Sequence, residues 1–159
     1  MNIKDIKIFS QNMRKNNSIV DTILETQYSF DVIFIQELVW VTICSIPNLK
    51  SKKWEELVEV LNYLNWLIFF RNSLVDNDSP KVVTYVNIRL SSFHFSLHKD
   101  IFNYRDISLI FFFNNNSVFY LMNIYLDSSQ TVLKYLKDTE VDIQNILVMI
   151  SDFNIRDNL

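Results

Sequence analysis

Glycine is absent from the 159 residues of this chain. An average chain contains about 7% glycine, and tight turns that need a positive φ angle normally use it. Asparagine tolerates the left-handed region better than other non-glycine residues. It is frequent at three predicted turns, Asn16-Asn17, Asp76 to Asp78 and Asn114 to Asn116. We therefore expect asparagine to replace glycine in the turns of this fold.

Cysteine and basic charge are also scarce. Cys44 is the single cysteine, which excludes an intramolecular disulfide and a zinc site built from several cysteines and fits a reducing compartment. The chain has 15 Lys and Arg against 18 Asp and Glu, a net charge of -3. No basic field over the whole chain therefore indicates nucleic-acid binding, although a local basic groove remains compatible with this charge.

Long apolar runs are missing as well, and none approaches the length needed to cross a bilayer. The first seven residues interrupt their apolar side chains with charges, so they offer no signal-peptide core. Hydrophobic residues make up 49% of the chain and charged residues 21%, as in globular proteins. These features predict a soluble intracellular protein, nuclear or cytoplasmic, that forms one domain over residues 1–159.

The first third of the chain follows a strand, helix, strand pattern. Residues 5–12 alternate as a strand that ends at Asn12, and residues 31–37 form a short apolar strand that ends at Glu37. Between them, Ser18 and Asp21 resemble a capping box at the start of an amphipathic helix. This order predicts a crossover between two parallel strands.

The middle of the chain is less regular. Residues 54–61 fit a short helix, and residues 66–71 fit a strand. Residues 82–90 predict a further strand, with its two faces assigned by alternation. The predicted core face carries Val82, Val86, Ile88 and Leu90, and the other face carries Tyr85, Asn87 and Arg89.

The last third predicts a hairpin of residues 107–113 and 118–126, then a helix over residues 130–141. A buried strand of branched apolar residues begins at Ile146. Asp152 and Asn154 follow it and, with strand alternation, would project to the same side. Asp-Phe-Asn could equally be a polar turn that closes the strand.

His94 and His98 are spaced as two metal ligands on one helical face would be. The surrounding residues alternate as a strand instead, because Phe93, Phe95 and Leu97 lie between the polar positions. In a strand the two imidazoles would be about 13 Å apart. We therefore expect two solvent-facing histidines rather than a metal site.

Polar residues follow the carboxyl ends of four predicted strands, where ligands bind in layered α/β proteins. Carboxylates are the ligands that Mg²⁺ prefers, while amides and a phenol can orient a phosphate and an attacking water. Alternatively, each polar residue only terminates its strand. The residues concerned are Asn12, Glu37, Asn123 with Tyr125, and Asp152 with Asn154.

These strand ends resemble the endonuclease/exonuclease/phosphatase superfamily, and within it the endonuclease domains of LINE-type (non-LTR) retrotransposons. The resemblance covers nearly the whole chain, and Trp40 fits the retrotransposon branch. It implies an α/β fold in which two sheets pack face to face between outer helices, as four layers. The matching motifs are Ser10-Gln-Asn12, Ile35-Gln-Glu37, Asn123-Ile-Tyr125 and Ser151-Asp-Phe-Asn154.

The resemblance also implies metal-dependent hydrolysis of phosphodiester bonds in DNA. Glu37 would bind Mg²⁺ or Mn²⁺, and Asp152 would orient or deprotonate the attacking water. Tyr125 would donate to a phosphate oxygen. Asn12 and Asn154 would position the phosphate and the neighbouring acids. Substrate contacts are expected from Asn123 and Arg14, with Arg71 and Arg89 as further cations that could reach the DNA backbone.

The sequence departs from the family in two respects that bear on activity. Ser151 replaces a glycine, and the closing Ser-Asp-His of the family is missing before Leu159. Loss of the general acid-base histidine predicts activity lower by a factor of about 10² to 10⁴. An incomplete second sheet would also expose apolar surface and favour self-association. Two alternatives remain, an inactive remnant of such a domain and a phosphatase that acts on small phosphorylated substrates.

Overall fold

The computed structural model describes residues 6–38, 40–47, 54–59, 63–70, 73–74, 80–97, 106–114, 117–126, 131–138 and 146–153. Its strands and helices follow one another in the order β1 (Ile8–Asn12), α1 (Asn17–Thr26), β2 (Val32–Gln36), β3 (Val41–Pro47), β4 (Trp54–Glu59), β5 (Trp66–Phe69), β6 (Ser73–Leu74), β7 (Val82–Asn87), β8 (His94–Leu97), β9 (Ile107–Asn114), β10 (Ser117–Leu126), α2 (Thr131–Asp138) and β11 (Ile146–Phe153).

A first four-stranded sheet has the order β1-β2-β7-β5. Strands β1 and β2 are parallel and are joined through α1, which confirms the predicted crossover. Strand β7 is antiparallel to both β2 and β5. Every residue of β2 is buried, as its continuous apolar run requires of a strand covered on both faces.

A second four-stranded sheet has the order β11-β10-β9-β8. Strands β9 and β10 form the predicted antiparallel hairpin, and β10 pairs in parallel with β11. Helix α2 lies between β10 and β11 in the chain and falls inside the predicted helix of residues 130–141. The exposed His94 lies in β8, as strand alternation predicted, and His98 lies outside the described residues.

Strands β3, β4 and β6 form a small third sheet. The prediction of a helix at residues 54–61 is wrong for residues 54–59, because these residues are β4 and pair with both neighbouring strands. A helix of so few residues gains little from intrinsic propensity. Pairing with strands on both sides satisfies the backbone N–H and C=O groups of these residues more completely than a short helix would.

The two larger sheets pack face to face, and each carries a helix on its outer side. Strand β2 shows this by alternation, since Ile33 and Ile35 pack with the buried Leu24 of α1. On its opposite face, Phe34 packs with Phe112 of β9 and Leu121 of β10. Beyond the second sheet, a further cluster joins residues of β9 and β10 to Val132 of α2. The predicted four-layer α/β sandwich is confirmed.

Strand β7 ends earlier than its sequence predicted. Residues Ile88–Leu90 form a 3₁₀ turn, and the side chain of Asn87 caps it by accepting a hydrogen bond of 3.1 Å from Arg89 N. Ile88 is therefore 46% exposed instead of facing the core. Tyr85, expected on the opposite face, is also buried, because β7 is an inner strand that is covered on both sides.

Positive φ angles in the described residues belong to Arg14 (46°), Lys15 (61°) and Glu37 (50°). The expectation that asparagine replaces glycine at such positions is wrong here. Asn16 has a φ of −106° and instead caps α1, where its Oδ1 accepts from Ser18 N at 3.1 Å. A left-handed conformation costs non-glycine residues about 1–2 kcal/mol, so tertiary contacts must hold these three residues. Asp76 to Asp78 and Asn115-Asn116 lie outside the described residues.

Helices long and apolar enough to span a bilayer do not occur in the described part of the chain.

Candidate active site

Glu37 lies where the parallel strands β1 and β2 end. Its N–H donates to the carbonyl of Lys81 at 2.8 Å, and its carbonyl accepts from Lys15 N at 2.8 Å. These two bonds fix the peptide groups on either side of a residue with a φ of 50°. Strained conformations persist only where the surroundings hold them, and they concentrate at functional sites. The half-buried Glu37 side chain is thus presented from a rigid backbone.

Tyr125 reaches Glu37 from the second sheet. Its hydroxyl donates a hydrogen bond of 2.7 Å to Glu37 Oε1, between residues that are 88 positions apart. The backbone of Tyr125 is fixed as well, since its N–H donates to the carbonyl of Asp106 at 2.8 Å. The two sequence-predicted residues are therefore brought together across the gap between the sheets. A phenol held against a carboxylate is a short, strong and directional contact.

Asn12 ends β1 and shapes the turn that follows. Its Oδ1 accepts from Arg14 N at 2.8 Å, so Arg14 turns back beside the end of the strand. Lys15 follows with its N–H on the carbonyl of Glu37, and both cationic side chains are exposed. This turn places two positive charges next to the strand end that carries Glu37. The predicted substrate contact of Arg14 is compatible with this position and stays a prediction.

Asp152 lies in β11, whose backbone pairs with that of β10. In the parallel register, Tyr125 is the partner of Asp152. Neighbouring strands are about 4.8 Å apart, so the backbone of Asp152 is beside that of Tyr125. The side chain of Asp152 and the whole of Asn154 lie outside the described residues. Their predicted catalytic roles therefore stay predictions.

Asn123 lies two residues before Tyr125 but is fully buried, with 0% exposure. Its Nδ2 donates to the carbonyls of Ile35 at 3.3 Å and Val83 at 2.9 Å. Its Oδ1 accepts from Gln36 Nε2 at 2.6 Å. The contacts that the structure gives this side chain are thus to the first sheet. Its predicted substrate contact stays a prediction, and its observed position is beneath the site.

A buried polar seam crosses the gap between the sheets below Glu37 and Tyr125. Besides Asn123, the seam contains Gln36, whose Nε2 also donates to Ser10 Oγ at 3.2 Å. It also contains Thr84, whose Oγ1 donates to Ser108 Oγ at 3.2 Å. Sequence reasoning used Gln36 only as part of a motif. The signal for the seam was a polar residue inside an otherwise apolar buried strand, since such a residue needs an internal partner.

Arg89 lies away from this corner, although the sequence suggested a contact with DNA. It forms an ion pair of 2.8 Å with Asp31, whose side chain is 1% exposed. Its guanidinium also donates to the carbonyls of Tyr28 at 3.1 Å and Ser29 at 2.9 Å. Asp31 precedes β2, whereas Glu37 follows it, so Arg89 secures the opposite end of this strand. Arg71 lies outside the described residues.

Few acidic side chains that could hold a metal are described at this corner. In the part of the chain that the structure describes, no three His, Cys, Asp or Glu side chains are grouped so that they could hold a metal. Glu37 is the acid whose side chain is described at this corner. Mg²⁺ is commonly bound by one or two carboxylates together with waters and substrate phosphates. A single half-buried carboxylate fits that pattern, and Asp152 would be the second acid.

Comparison with solved structures identifies the architecture. The chain is similar to the "Endonuclease domain of TRAS1, a telomere-specific non-LTR retrotransposon", with a TM-score of 0.54 and 12% sequence identity, over 83% of this chain and 49% of that one. The chain therefore shares the fold of that endonuclease domain, an α/β sandwich of two sheets. It spans about half the length of the TRAS1 structure. No protein-family model and no curated protein matches it.

The endonuclease/exonuclease/phosphatase fold was expected from four short motifs, and the likeness to the TRAS1 domain supports that architecture. A likeness at 12% identity concerns the backbone alone. The roles of individual residues therefore depend on the geometry of this chain. In that geometry, the contact between Glu37 and Tyr125 is the feature that could take part in a reaction.

Proposed function

We propose that this chain binds DNA and hydrolyses its phosphodiester bonds with Mg²⁺ or Mn²⁺ at the corner formed by Asn12, Glu37, Tyr125 and Asp152. The observation that carries the proposal is the 2.7 Å hydrogen bond between Tyr125 and Glu37, made where strands of both sheets end. The likeness of the fold to the endonuclease domain of TRAS1 supports it. Phosphodiester cleavage needs a charge-stabilising group and an oriented phosphate, and this corner offers residues for both.

Glu37 is the proposed metal ligand. When bound, Mg²⁺ supplies a Lewis acid that polarises the phosphate and neutralises developing charge. Glu37 suits this role because its backbone is fixed at both peptide groups and its side chain is half-buried. A ligand on a rigid strand end loses little conformational freedom when it binds.

Tyr125 is the proposed hydrogen-bond donor to the phosphate. A phenol has a single O–H donor, and in the structure this donor is on Glu37 Oε1. When a phosphate enters, Tyr125 would transfer its hydrogen bond from the carboxylate to a phosphate oxygen. Glu37 Oε1 would then lose this donor and be available as a ligand of the metal. The contact seen in the structure thus holds both groups ready for substrate.

Asn12 and Asp152 complete the proposed site. A phosphate oxygen only accepts hydrogen bonds, so a contact from Asn12 would come from its Nδ2 group, while its Oδ1 accepts from Arg14 N. Asp152 would orient or deprotonate the attacking water, as a strand-end carboxylate can. Its backbone position beside Tyr125 in the β10–β11 register is compatible with that role. Arg14 and Lys15 would contact the DNA backbone without selecting sequence.

Metal-dependent nicking of a supercoiled plasmid tests the proposal. Wild-type protein should convert supercoiled to open-circular DNA with Mg²⁺ or Mn²⁺ and not with EDTA. Nicking should be lost in Glu37→Ala and in Asp152→Ala. The matched control is Glu25→Ala, which removes an exposed acid from α1 and should retain full nicking.

The other outcomes are equally informative. Absence of nicking by wild-type protein at any Mg²⁺ or Mn²⁺ concentration would overturn the proposal. If metal still binds and Glu37→Ala abolishes that binding, an inactive domain that keeps its metal site is favoured. If small phosphate monoesters are hydrolysed and DNA is not, the phosphatase alternative is favoured.

A further inference from the structure

The bond between Gln36 and Asn123 is the shortest described link in the buried seam, at 2.6 Å between residues 87 positions apart. Both side chains are buried, with exposures of 1% and 0%. They join the first sheet to the second inside the buried seam. The pair is therefore a specific cross-sheet contact inside the protein.

The pair is well satisfied by neighbouring groups. Both Nδ2 hydrogens of Asn123 have acceptors, the carbonyls of Ile35 and Val83. Gln36 adds a contact with Ser10. Buried amides stabilise a fold less than well-packed apolar residues unless their hydrogen bonds are complete, and complete networks specify one arrangement of the parts they join. This network joins β1, β2, β7 and β10 in one register.

The location of the pair relates it to the candidate site. Gln36 immediately precedes Glu37, and Asn123 shares a face of β10 with Tyr125, two residues later. Two cross-sheet hydrogen bonds are thus adjacent, one from Gln36 to Asn123 and one from Tyr125 to Glu37. A shift of β2 relative to β10 would lengthen both.

We propose that Gln36 and Asn123 are a positioning pair, which sets the separation between the Glu37 carboxylate and the Tyr125 phenol without touching the substrate. The inference deepens the proposed function and depends on it for its catalytic consequence. The structural part of the inference does not depend on activity, because the pair would hold the Tyr125–Glu37 contact in the protein without substrate. Displacement of reacting groups by about 1 Å can cost on the order of 100-fold in rate.

The principal variant is Asn123→Leu, which replaces the amide by an apolar side chain of similar size. Its matched control is Thr84→Val, which removes a separate cross-sheet bond of the seam, to Ser108, at a residue that neighbours neither Glu37 nor Tyr125 in the chain. Should Asn123→Leu not fold, Gln36→Met carries the same comparison, because it leaves the contacts of Asn123 with Ile35 and Val83 in place.

The kinetic readout is the division between kcat and KM in plasmid or oligonucleotide cleavage. Asn123→Leu should lower kcat by about 10- to 100-fold and leave KM within about twofold. Thr84→Val should lower the melting temperature by a similar amount to Asn123→Leu but leave kcat and KM nearly unchanged. Exchange of the two amides, Gln36→Asn with Asn123→Gln, keeps the summed length of the pair and should restore much of kcat. Equal losses of kcat in Asn123→Leu and Thr84→Val would overturn the positioning role.

A second readout separates this inference from the proposed function. The chain has 7 tyrosines, which can be labelled as 3-fluorotyrosine and resolved by ¹⁹F NMR, with Tyr125→Phe assigning the resonance. Glu37→Gln should shift that resonance, Asn123→Leu should shift it in the same sense, and Thr84→Val should not. If Asn123→Leu leaves it unmoved, the positioning role is wrong even in an active enzyme. If the shift occurs in a protein that does not nick DNA, the positioning stands and the proposed function fails.

Discussion

Tyr125 and Glu37 form a hydrogen bond of 2.7 Å that joins the ends of β10 and β2 across the two sheets. The contact combines a phenol and a carboxylate at the edge where Asn12 and Arg14 also lie. Its consequences can be measured separately from those of the surrounding fold.

Tyr125→Phe removes the phenol and keeps the ring. Loss of one positioned donor to a developing charge costs about 10²- to 10³-fold in kcat in other hydrolases, and we expect an effect in this range on nicking. Mn²⁺ affinity, measured by titration, should be unchanged or tighter, because Glu37 Oε1 loses a competing hydrogen bond. Tyr28→Phe, at an exposed residue beyond the end of α1, serves as the control. Weaker Mn²⁺ binding in Tyr125→Phe would instead make Tyr125 part of the metal site.

Arg14→Ala removes one of the two cations in the turn after β1. If Arg14 contacts a phosphate, DNA affinity should fall uniformly across sequences, and the slope of log K against log salt should decrease by about one. Fluorescence anisotropy at several salt concentrations measures this slope. Lys134→Ala, at an exposed position of α2, should leave the slope unchanged. An unchanged slope in Arg14→Ala would exclude the phosphate contact.

Arg89→Ala breaks the ion pair with the buried Asp31. The carboxylate keeps its bond from Lys7 N at 2.9 Å but loses its charged partner. A buried charge left without its partner typically costs about 3–5 kcal/mol, and the half-exposed guanidinium reduces this to about 2 kcal/mol or more. Urea unfolding should show the loss as a lower midpoint at an unchanged slope. Arg89→Lys should recover little, because the three N–H donors of a lysine are on one nitrogen and cannot reach the acceptors that Nε, Nη1 and Nη2 of Arg89 bond separately. Full stability in Arg89→Ala would contradict this role.

Tyr63 donates a hydrogen bond of 2.6 Å to Asp21 Oδ1. This bond, with burial and the charge of Asp21, raises the pKa of Tyr63 from 10.0 to about 12. Since the folded-state pKa is raised, the stabilisation is fully present below pH 10 and is lost as the pH rises through about 12. Absorbance of tyrosinate against pH should show one fewer late-titrating tyrosine in Tyr63→Phe than in wild-type protein, since burial also raises the pKa of Tyr85. Asp21→Asn should lower the pKa of Tyr63 towards its ordinary value, and an unaltered titration would show that Asp21 is not the cause.

Lys15→Gly tests the turn that forms without glycine. Lys15 has a φ of 61°, which is strained for a lysine and relaxed for a glycine. After the higher entropy of glycine in the unfolded chain is subtracted, we expect a gain of about 0.5–1 kcal/mol in the free energy of unfolding. Lys7→Gly, at a residue with an ordinary φ, should be neutral or destabilising. Destabilisation by Lys15→Gly would mean that the lysine side chain itself stabilises the turn.

Local patterns were sufficient to predict the order of the strands that form the candidate site. The apolar run before Glu37 and the alternation that pairs Asn123 with Tyr125 are properties of short segments, and they marked where strands end. The parallel crossover through α1 also followed from order and spacing.

Features that depend on distant partners could not be predicted in this way. Residues 54–59 became β4 because two other strands pair with them. The positive φ angles fell on Arg14, Lys15 and Glu37 because the bond from Lys15 N to the Glu37 carbonyl and the bond from Glu37 N to Lys81 hold the turn. The contacts by which Asn123 bridges the sheets could not be predicted, because its partners Gln36, Ile35 and Val83 are far away in the chain.

The separation of 88 residues between Tyr125 and Glu37 also determines when the site can form during folding. Contacts of such long sequence range form late, because the chain must first lose the entropy of closing a large loop. A nascent chain could complete β1, α1 and β2 and still lack the phenol that faces Glu37 until β10 has been synthesised and docked. Recovery of the Tyr125–Glu37 contact after dilution from denaturant should therefore follow docking of the two sheets.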